Sequence, residues 1–529
     1  MSPRSRRLAV SFVSACSLCG GIGYASPASA AVVFEDDFES GTINTSGRNW
    51  RGEWWTGVPG AARISATDAG RSGSHAMRAS LWRNDEFVSN SNRSELRKTT
   101  HSSDPISMGN NGDTRYYRWN IFVPNDYVAE TQPEAFEIVG QIHRGPTTGV
   151  DWRSPPFAVE IKQGRWQIVG NTATGTYTQD AGAVTPGEWT EWLVRATWSP
   201  TSSGNLRVWK DGGTALNRTN AANTWGTDYS TGDHFLKVGL YKPEWRDTDT
   251  NFVVRSDTWQ NTFLFDEVGV GDQNENYDKM RTPGSPNATE LFRFGTNEGA
   301  GADAQVMGQG SGRDDLNVGG ASRAEVRGNN WNGGEYATYL RFDLSDLTLP
   351  VIADATLQLV LENDATHTLD VYAVPDGFNG RNDGAGASEL GETWWVEGGK
   401  NWSTASGNEL DGDNAPGFDE VAGGPDTSVL NLVGSITLNG ALRTDSMVEL
   451  STQALIDAVA GDTNNRLTLA VFGRDQNGNA TAIRTKEAGT DFAPSLEVIA
   501  VGTGGFVIPE PATGLVASAA LMGLRRRWR

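Results

Sequence analysis

Phe235-Leu236-Lys237-Val238-Gly239-Leu240-Tyr241 reads as a β-strand with two chemically different faces. Leu236, Val238 and Leu240 fall on one side. Lys237 and Tyr241 fall on the other, with Gly239 leaving a gap between them. Runs of the same kind recur on both sides of this stretch, at 115–123, 157–162, 165–169, 192–198, 206–210 and 262–270. Turn signals such as Lys210-Asp211-Gly212-Gly213 separate them. Further runs lie at 337–344, 355–361, 368–374, 467–472 and 495–501, and 452–460 alone reads as a helix. Many short strands with little helical periodicity predict an all-β protein: an N-terminal sandwich or jelly roll followed by a second β-sandwich.

The chain has 529 residues, which is long for one domain. Thr282-Pro283-Gly284-Ser285-Pro286-Asn287 reads as a linker and divides the body into 31–285 and 288–500. With 44 Lys and Arg against 65 Asp and Glu the net charge is −21, which argues against general nucleic-acid binding. The charge is uneven. Residues 31–285 hold 25 basic against 32 acidic side chains (−7), and 286–505 hold 12 against 32 (−20). Fourteen of the 19 Trp precede the linker. Substrate handling is therefore expected in the first half and an acidic accessory role in the second. Both cysteines, Cys16 and Cys19, lie near the N-terminus, so the body has no disulfide and no Cys nucleophile.

The ends read as addresses. Residues 1–30 combine Arg4, Arg6 and Arg7, an apolar run and Ala28-Ser29-Ala30, the pattern of a secretory signal peptide. The segment 506–529 contains Val507-Ile508-Pro509-Glu510-Pro511, a short apolar run at 514–524 and Arg525-Arg526-Arg527. It resembles a PEP-CTERM sorting tail. The resemblance implies export to the cell envelope or beyond, with envelope sorting machinery as a partner.

Two other stretches share the two-faced alternation. Arg93, Glu95 and Arg97 fall on one face of Asn92-Arg93-Ser94-Glu95-Leu96-Arg97; Gln141 and His143 flank Ile142. If the three strands are neighbours, one sheet face gathers Arg, Gln, His, Lys and Tyr. That set suits β-elimination on a uronic acid. Cations and hydrogen bonds at the carboxylate stabilise the enolate-like transition state, and His and Tyr move the C5 proton and protonate the departing oxygen. Each segment taken alone also fits an ion-pair ladder or a hydrogen-bonded sheet pair. A Glu-x-Asp-x-x-Glu carboxylate strand, a Gly-x-Ser-x-Gly elbow and a phosphate loop are missing, which disfavours a paired-carboxylate hydrolase, a serine esterase and a P-loop enzyme.

At these residues the sequence resembles alginate lyases of the β-jelly-roll, concanavalin-like type. The opening Phe34-Glu35-Asp36-Asp37-Phe38, Tyr116-Tyr117-Arg118-Trp119, Val208-Trp209-Lys210-Asp211-Gly212 and Phe265-Asp266-Glu267-Val268 are similar to the heparin-lyase and glucuronan-lyase-like group. The resemblance covers about 31–272 and implies a polysaccharide lyase. Arg93 and Gln141 would bind the uronate carboxylate, His143 would act as base or neutraliser, Tyr241 as acid or as both acid and base, and Lys237 would hold substrate or tune Tyr241. Lys242-Pro243-Glu244 departs from the alginate pattern and favours a glucuronan-like polymer. An anionic substrate requires a local positive cleft, expected from Arg93, Arg97, Arg144, Lys237, Lys242 and Arg246. Trp54, Trp55, Trp82, Trp152 and Trp245 are candidates for sugar stacking or for core. His75 and His234 read as surface or strand-end residues, His367 as solvated, and His101 as a further cleft candidate.

Residues 288–500 resemble DNRLRE-type carbohydrate-binding-like sandwiches through Ala337-Thr338-Tyr339-Leu340-Arg341-Phe342-Asp343 and Ala493-Pro494-Ser495-Leu496-Glu497-Val498. No catalytic metal or cofactor is expected, since the five histidines have no ligand spacing. Acidic loops such as 411–413 leave structural Ca²⁺ open, without the EF-hand pattern. The chain is expected to act as a monomer. The rival readings are a non-catalytic lectin on the same sandwich and a structural envelope or matrix protein.

Overall fold

The computed structural model describes residues 32–43, 50–54, 63–88, 91–98, 109–144, 154–172, 174–225, 234–245, 258–282, 284–299, 301–307, 321–328, 336–363, 367–376, 425, 427–428, 430–440, 442, 444–474 and 480–502. The signal and tail segments, Arg246, His101, Trp55, Trp152 and the loop 411–413 lie outside them.

The chain is all-β, as its alternation predicts. Among the described residues four sheets form two sandwiches, with antiparallel strand pairing. In the first sandwich an eight-stranded sheet centres on Thr114–Phe122 and Gln260–Gly271. It faces a seven-stranded sheet ordered Gly175–Ala183, Arg165–Thr172, Phe157–Lys162, Glu137–Arg144, His234–Lys242, Asn92–Lys98, Trp50–Trp54. Alternation builds the core between them. Tyr117, Trp119 and Ile121 enter from one strand, Trp192, Val194 and Ala196 from the next, and Val159, Ile161, Leu236, Val238 and Leu240 from the facing sheet. In Gln260–Gly271 the inward set changes from Phe263 and Phe265 to Val268 and Val270. A bulge between Asp266 and Gly269, with Glu267 at φ 50°, adds the residue that shifts the phase. Trp119, Trp166, Trp192 and Trp198 are fully buried, so much of the tryptophan excess is core.

The second sandwich pairs a six-stranded sheet through Val351–Leu361 and Ser495–Val501 with a five-stranded sheet through Tyr336–Asp343 and Arg466–Gly473. The expected helix is Gln453–Gly461, capped by Thr452, whose Oγ1 accepts the Leu455 N–H at 3.1 Å.

The segment read as a linker is tied down. Asn287 donates from its backbone to Arg71 O at 2.6 Å and from its side chain to Gly70 O and Gly73 O. The sandwiches meet over a buried charge network. Ala76–Trp82 turns Met77, Ala79 and Leu81 into its own core, so Arg78 faces the other sandwich. There Arg78 meets Glu497 at 2.5 Å and Glu449 at 3.2 Å. Arg63 pairs with Asp85 at 2.6 Å and with Glu449 at 3.1 Å, and Thr262 donates to Glu497 at 2.6 Å. Burial works against the Arg78 charge, but Glu497 and Glu449 outweigh it and hold the guanidinium protonated. Phe122, Leu264, Leu291 and Ile499 form an apolar patch across the same junction.

Removing one member of a buried ion cluster strands its partners, a cost of about 3–5 kcal/mol. Arg78→Ala is therefore expected to lower the denaturation midpoint of the whole chain strongly. Arg165→Ala, at the exposed Arg165–Asp180 pair, should leave it in place. Equal midpoints for Arg78→Ala and wild type in chemical denaturation would remove the network from the stability argument.

Candidate active site

Asn92–Lys98, His234–Lys242 and Glu137–Arg144 are adjacent strands, with His234–Lys242 in the middle. Their register sets the side chains in rows, because paired residues point to the same face. Lys237 lies opposite both Arg97 and Gln141, Phe235 opposite His143, Gly239 opposite Glu95, and Tyr241 opposite Arg93. Gly239 has φ +131°, and a Cβ there would lie 2.2 Å from Ser94 O. Only glycine lets the two strands approach this closely while Lys237 and Tyr241 keep the same face.

Two carboxylates fix the cations. Glu53, from the edge strand Trp50–Trp54, accepts from Lys237 Nζ at 2.5 Å, Arg93 at 3.2 Å and Arg97 at 3.3 Å. Glu95 meets Lys237 at 3.2 Å and Arg93 at 3.4 Å, and accepts from the Gln141 amide. Burial opposes the Glu53 charge, but Lys237, then Arg93 and Arg97, outweigh it and hold this carboxyl down at about 2. Three cations against two carboxylates leave a net positive charge on this face, which exposed Arg51 extends.

His143 stacks on Phe235 (5.3 Å between centroids, 7° between planes), and the Arg97 guanidinium lies 3.9 Å from the centroid of the same ring. The His143 Nδ1 lies 2.8 Å from the backbone nitrogen of Arg144 and 2.9 Å from that residue's carbonyl oxygen. Burial, then the charges of Lys237, Arg97 and Arg93, push His143 down to about 3, leaving it neutral near pH 7. Arg93 stands 4.4 Å from the centroid of the Tyr241 ring. His143, opposite Phe235, and Tyr241 are thus six register positions apart.

Two of the expected cleft residues are placed differently. Lys242 and Arg144 each follow a site residue by one position and so face the opposite way. Lys242 is fully buried, its Nζ 2.6 Å from Glu130, 3.0 Å from Glu137 and 2.8 Å from Thr258. Arg144 is fully buried and donates to Asn111 at 2.9 Å. Arg246 is outside the described residues. Trp82 and Trp245 are buried and unavailable for stacking on sugars, and Trp54 packs against the core. His234 and His367 are buried rather than exposed; His234 stacks on Trp198 at 4.2 Å. Among the described residues no group of three or more His, Cys, Asp or Glu side chains is placed to hold a metal ion. Glu53 and Phe235 were not singled out from the sequence, although Arg51 and Glu53 share a period-two face in Trp50-Arg51-Gly52-Glu53-Trp54.

Residues 39–269, which include every site residue described above, match the family model described as polysaccharide lyase. Similar solved structures include an endo-β-1,4-glucuronan lyase from the fungus Trichoderma reesei, at 19% identity over 42% of this chain and 94% of that one, with a TM-score of 0.32. An alginate lyase from Pseudomonas aeruginosa is similar at 20% identity over 40% of this chain and 87% of that one, with a TM-score of 0.29. No curated protein matches the chain.

Because His143 binds its proton less readily folded than unfolded, its contribution to stability falls as pH drops from about 6.5 toward about 3. Wild type should lose stability relative to His143→Asn by at most about 1.4 kcal/mol per pH unit through this window. Parallel stability–pH curves for the two proteins would contradict a neutral, buried imidazole.

Proposed function

We propose that the protein is an exported polysaccharide lyase that cleaves a 1,4-linked uronate chain by β-elimination and leaves an unsaturated uronate end. The observation that carries this reading is the register that puts Arg93, Gln141, His143, Lys237 and Tyr241 on one face of three adjacent strands. The family match over 39–269 supports it.

In this reading Arg93 and Gln141 take the carboxylate of the sugar under cleavage, already oriented by Glu53 and Glu95. Neutralising that carboxylate stabilises the negative charge that develops as the C5 proton leaves. The electron pair of the C5–H bond becomes the C4–C5 double bond, the C4–O bond breaks, and the departing oxygen takes a proton. Tyr241 supplies that proton. When hydrogen and leaving oxygen share one face of the ring, as in glucuronate and mannuronate, Tyr241 also removes the C5 proton and passes it to that oxygen. His143 would be the base for the opposite stereochemistry. The six-residue register gap between His143 and Tyr241 favours one group for both transfers, and hence a glucuronate- or mannuronate-type substrate. Lys237 holds the anionic chain. None of these steps asks for a metal or cofactor. The acidic second sandwich acts as an accessory module, and the terminal segments direct export and sorting.

The test is a panel of glucuronan, alginate, hyaluronan and heparin followed by the ultraviolet absorbance of unsaturated uronates. Wild type should generate the signal on at least one polymer. Tyr241→Phe should lose about 10²–10⁴-fold in kcat, and Arg93→Ala about 10²–10³-fold in kcat/KM. Full activity in both variants would refute the site assignment. Binding without absorbance would favour a lectin, and indifference to every sugar a structural envelope protein.

A further inference from the structure

Glu160 lies in Phe157–Lys162, the strand next to Glu137–Arg144 on the side away from the cation cluster. Val159 and Ile161 enter the core, so Glu160 points to the same outer face as the site. The register continues one row across the sheet: Arg93 opposite Tyr241, Tyr241 opposite Ile138, Ile138 opposite Glu160, and Glu160 opposite Gln167. Glu160 stands two strands from Tyr241, about 10 Å between backbones.

Glu160 is only 9% exposed, and its carboxyl makes no hydrogen bond or ion pair with a described residue. Beside it, in the turn Pro243–Trp245 that leaves the strand of Tyr241, Glu244 is 4% exposed and its Oε2 has no partner. An unpartnered carboxyl on the outer face, in the row of the proposed catalytic tyrosine, is open to a group from outside the protein.

We propose that Glu160 is a substrate contact, donating a hydrogen bond to the carboxylate of the sugar acid next to the one being cleaved. This rests on the polyuronate reading of the face. Beyond Tyr241 the row holds no cation among the described residues, so the second carboxylate of a chain laid along it meets Glu160 instead of an arginine. An ionised Glu160 would repel it, whereas a protonated one makes a short, charge-assisted O–H···O⁻ bond. Below about pH 7 the surroundings keep the proton on. Burial pushes Glu160 up to about 7, with Lys162 on its own strand opposing. Glu244, in the turn Pro243–Trp245, is pushed up to about 8 by burial, with Lys242 opposing and Glu160 adding slightly to the rise. Its neighbours in the row, Ile138 and Gln167, carry no charge. Above pH 7 the protein must then take up a proton as the chain binds.

The experiment is calorimetric binding of a β-1,4-linked glucuronate tetrasaccharide to Tyr241→Phe protein, in two buffers of different ionisation enthalpy at about pH 8. Close to one proton should be taken up per chain bound, and affinity should fall about tenfold per pH unit above 7. Adding Glu160→Gln, which keeps shape and a donor, should abolish the uptake and flatten the pH dependence; Glu160→Ala should weaken binding at every pH. Proton uptake that survives Glu160→Gln, or failure of the tetrasaccharide to bind, overturns the proposal. Uptake tied to Glu160 in a wild type that forms no unsaturated product would overturn the elimination reading and leave this contact standing. Product formation without such uptake would do the reverse.

Discussion

Glu53 is the constraint on which the site depends. Three cations on adjacent strands repel one another, and left to themselves they would spread into solvent. One carboxylate within 3.3 Å of Lys237, Arg93 and Arg97 pins all three to one spot of the sheet, and Glu95 adds a second anchor. The arrangement orients these donors before any ligand arrives. Because the anchors are fewer than the cations, the face stays positive in a chain whose net charge is −21.

Alternation of strand residues made the central part of this legible from sequence. Lys237, Gly239 and Tyr241 could be assigned to one face because Leu236, Val238 and Leu240 occupy the other. The same logic worked for Gln141 and His143 around Ile142. Where it was set aside, the reading failed: Arg144 and Lys242 were added for their charge, although each sits one position out of phase and is buried in its own pairings. Glu53 has little local signal because its strand is only five residues long and the tryptophans beside it, Trp54 and Trp55, read as stacking or core candidates. Which strand lies beside which is a long-range property, so the meeting of Glu53 with Lys237, 184 positions apart, has no local signal. The burial of His234 and His367 was hidden for the same reason.

The segment 282–287, read as a linker from its Pro, Gly, Ser and Asn, lies between the two sandwiches. Backbone and side-chain hydrogen bonds of Asn287 fasten it to the first one. Beside it, Arg63, Arg78, Asp85, Glu449 and Glu497 lock the sandwiches together through contacts that neither half could satisfy alone. Buried ions of this kind contribute less to net stability than to a defined orientation, since each pairing is geometrically exacting.

That fixed orientation has an electrostatic result. The junction uses the sheet opposite the one that carries Glu53 and Lys237, so the strongly acidic half is held behind the first sandwich. A polyanion diffusing toward the molecule is turned away from the rear and drawn to the basic front, over a range set by a screening length of about 8 Å at physiological salt. The protein behaves as a charge dipole with one landing side, and dissolved salt should govern how fast a chain lands more than how tightly it is held.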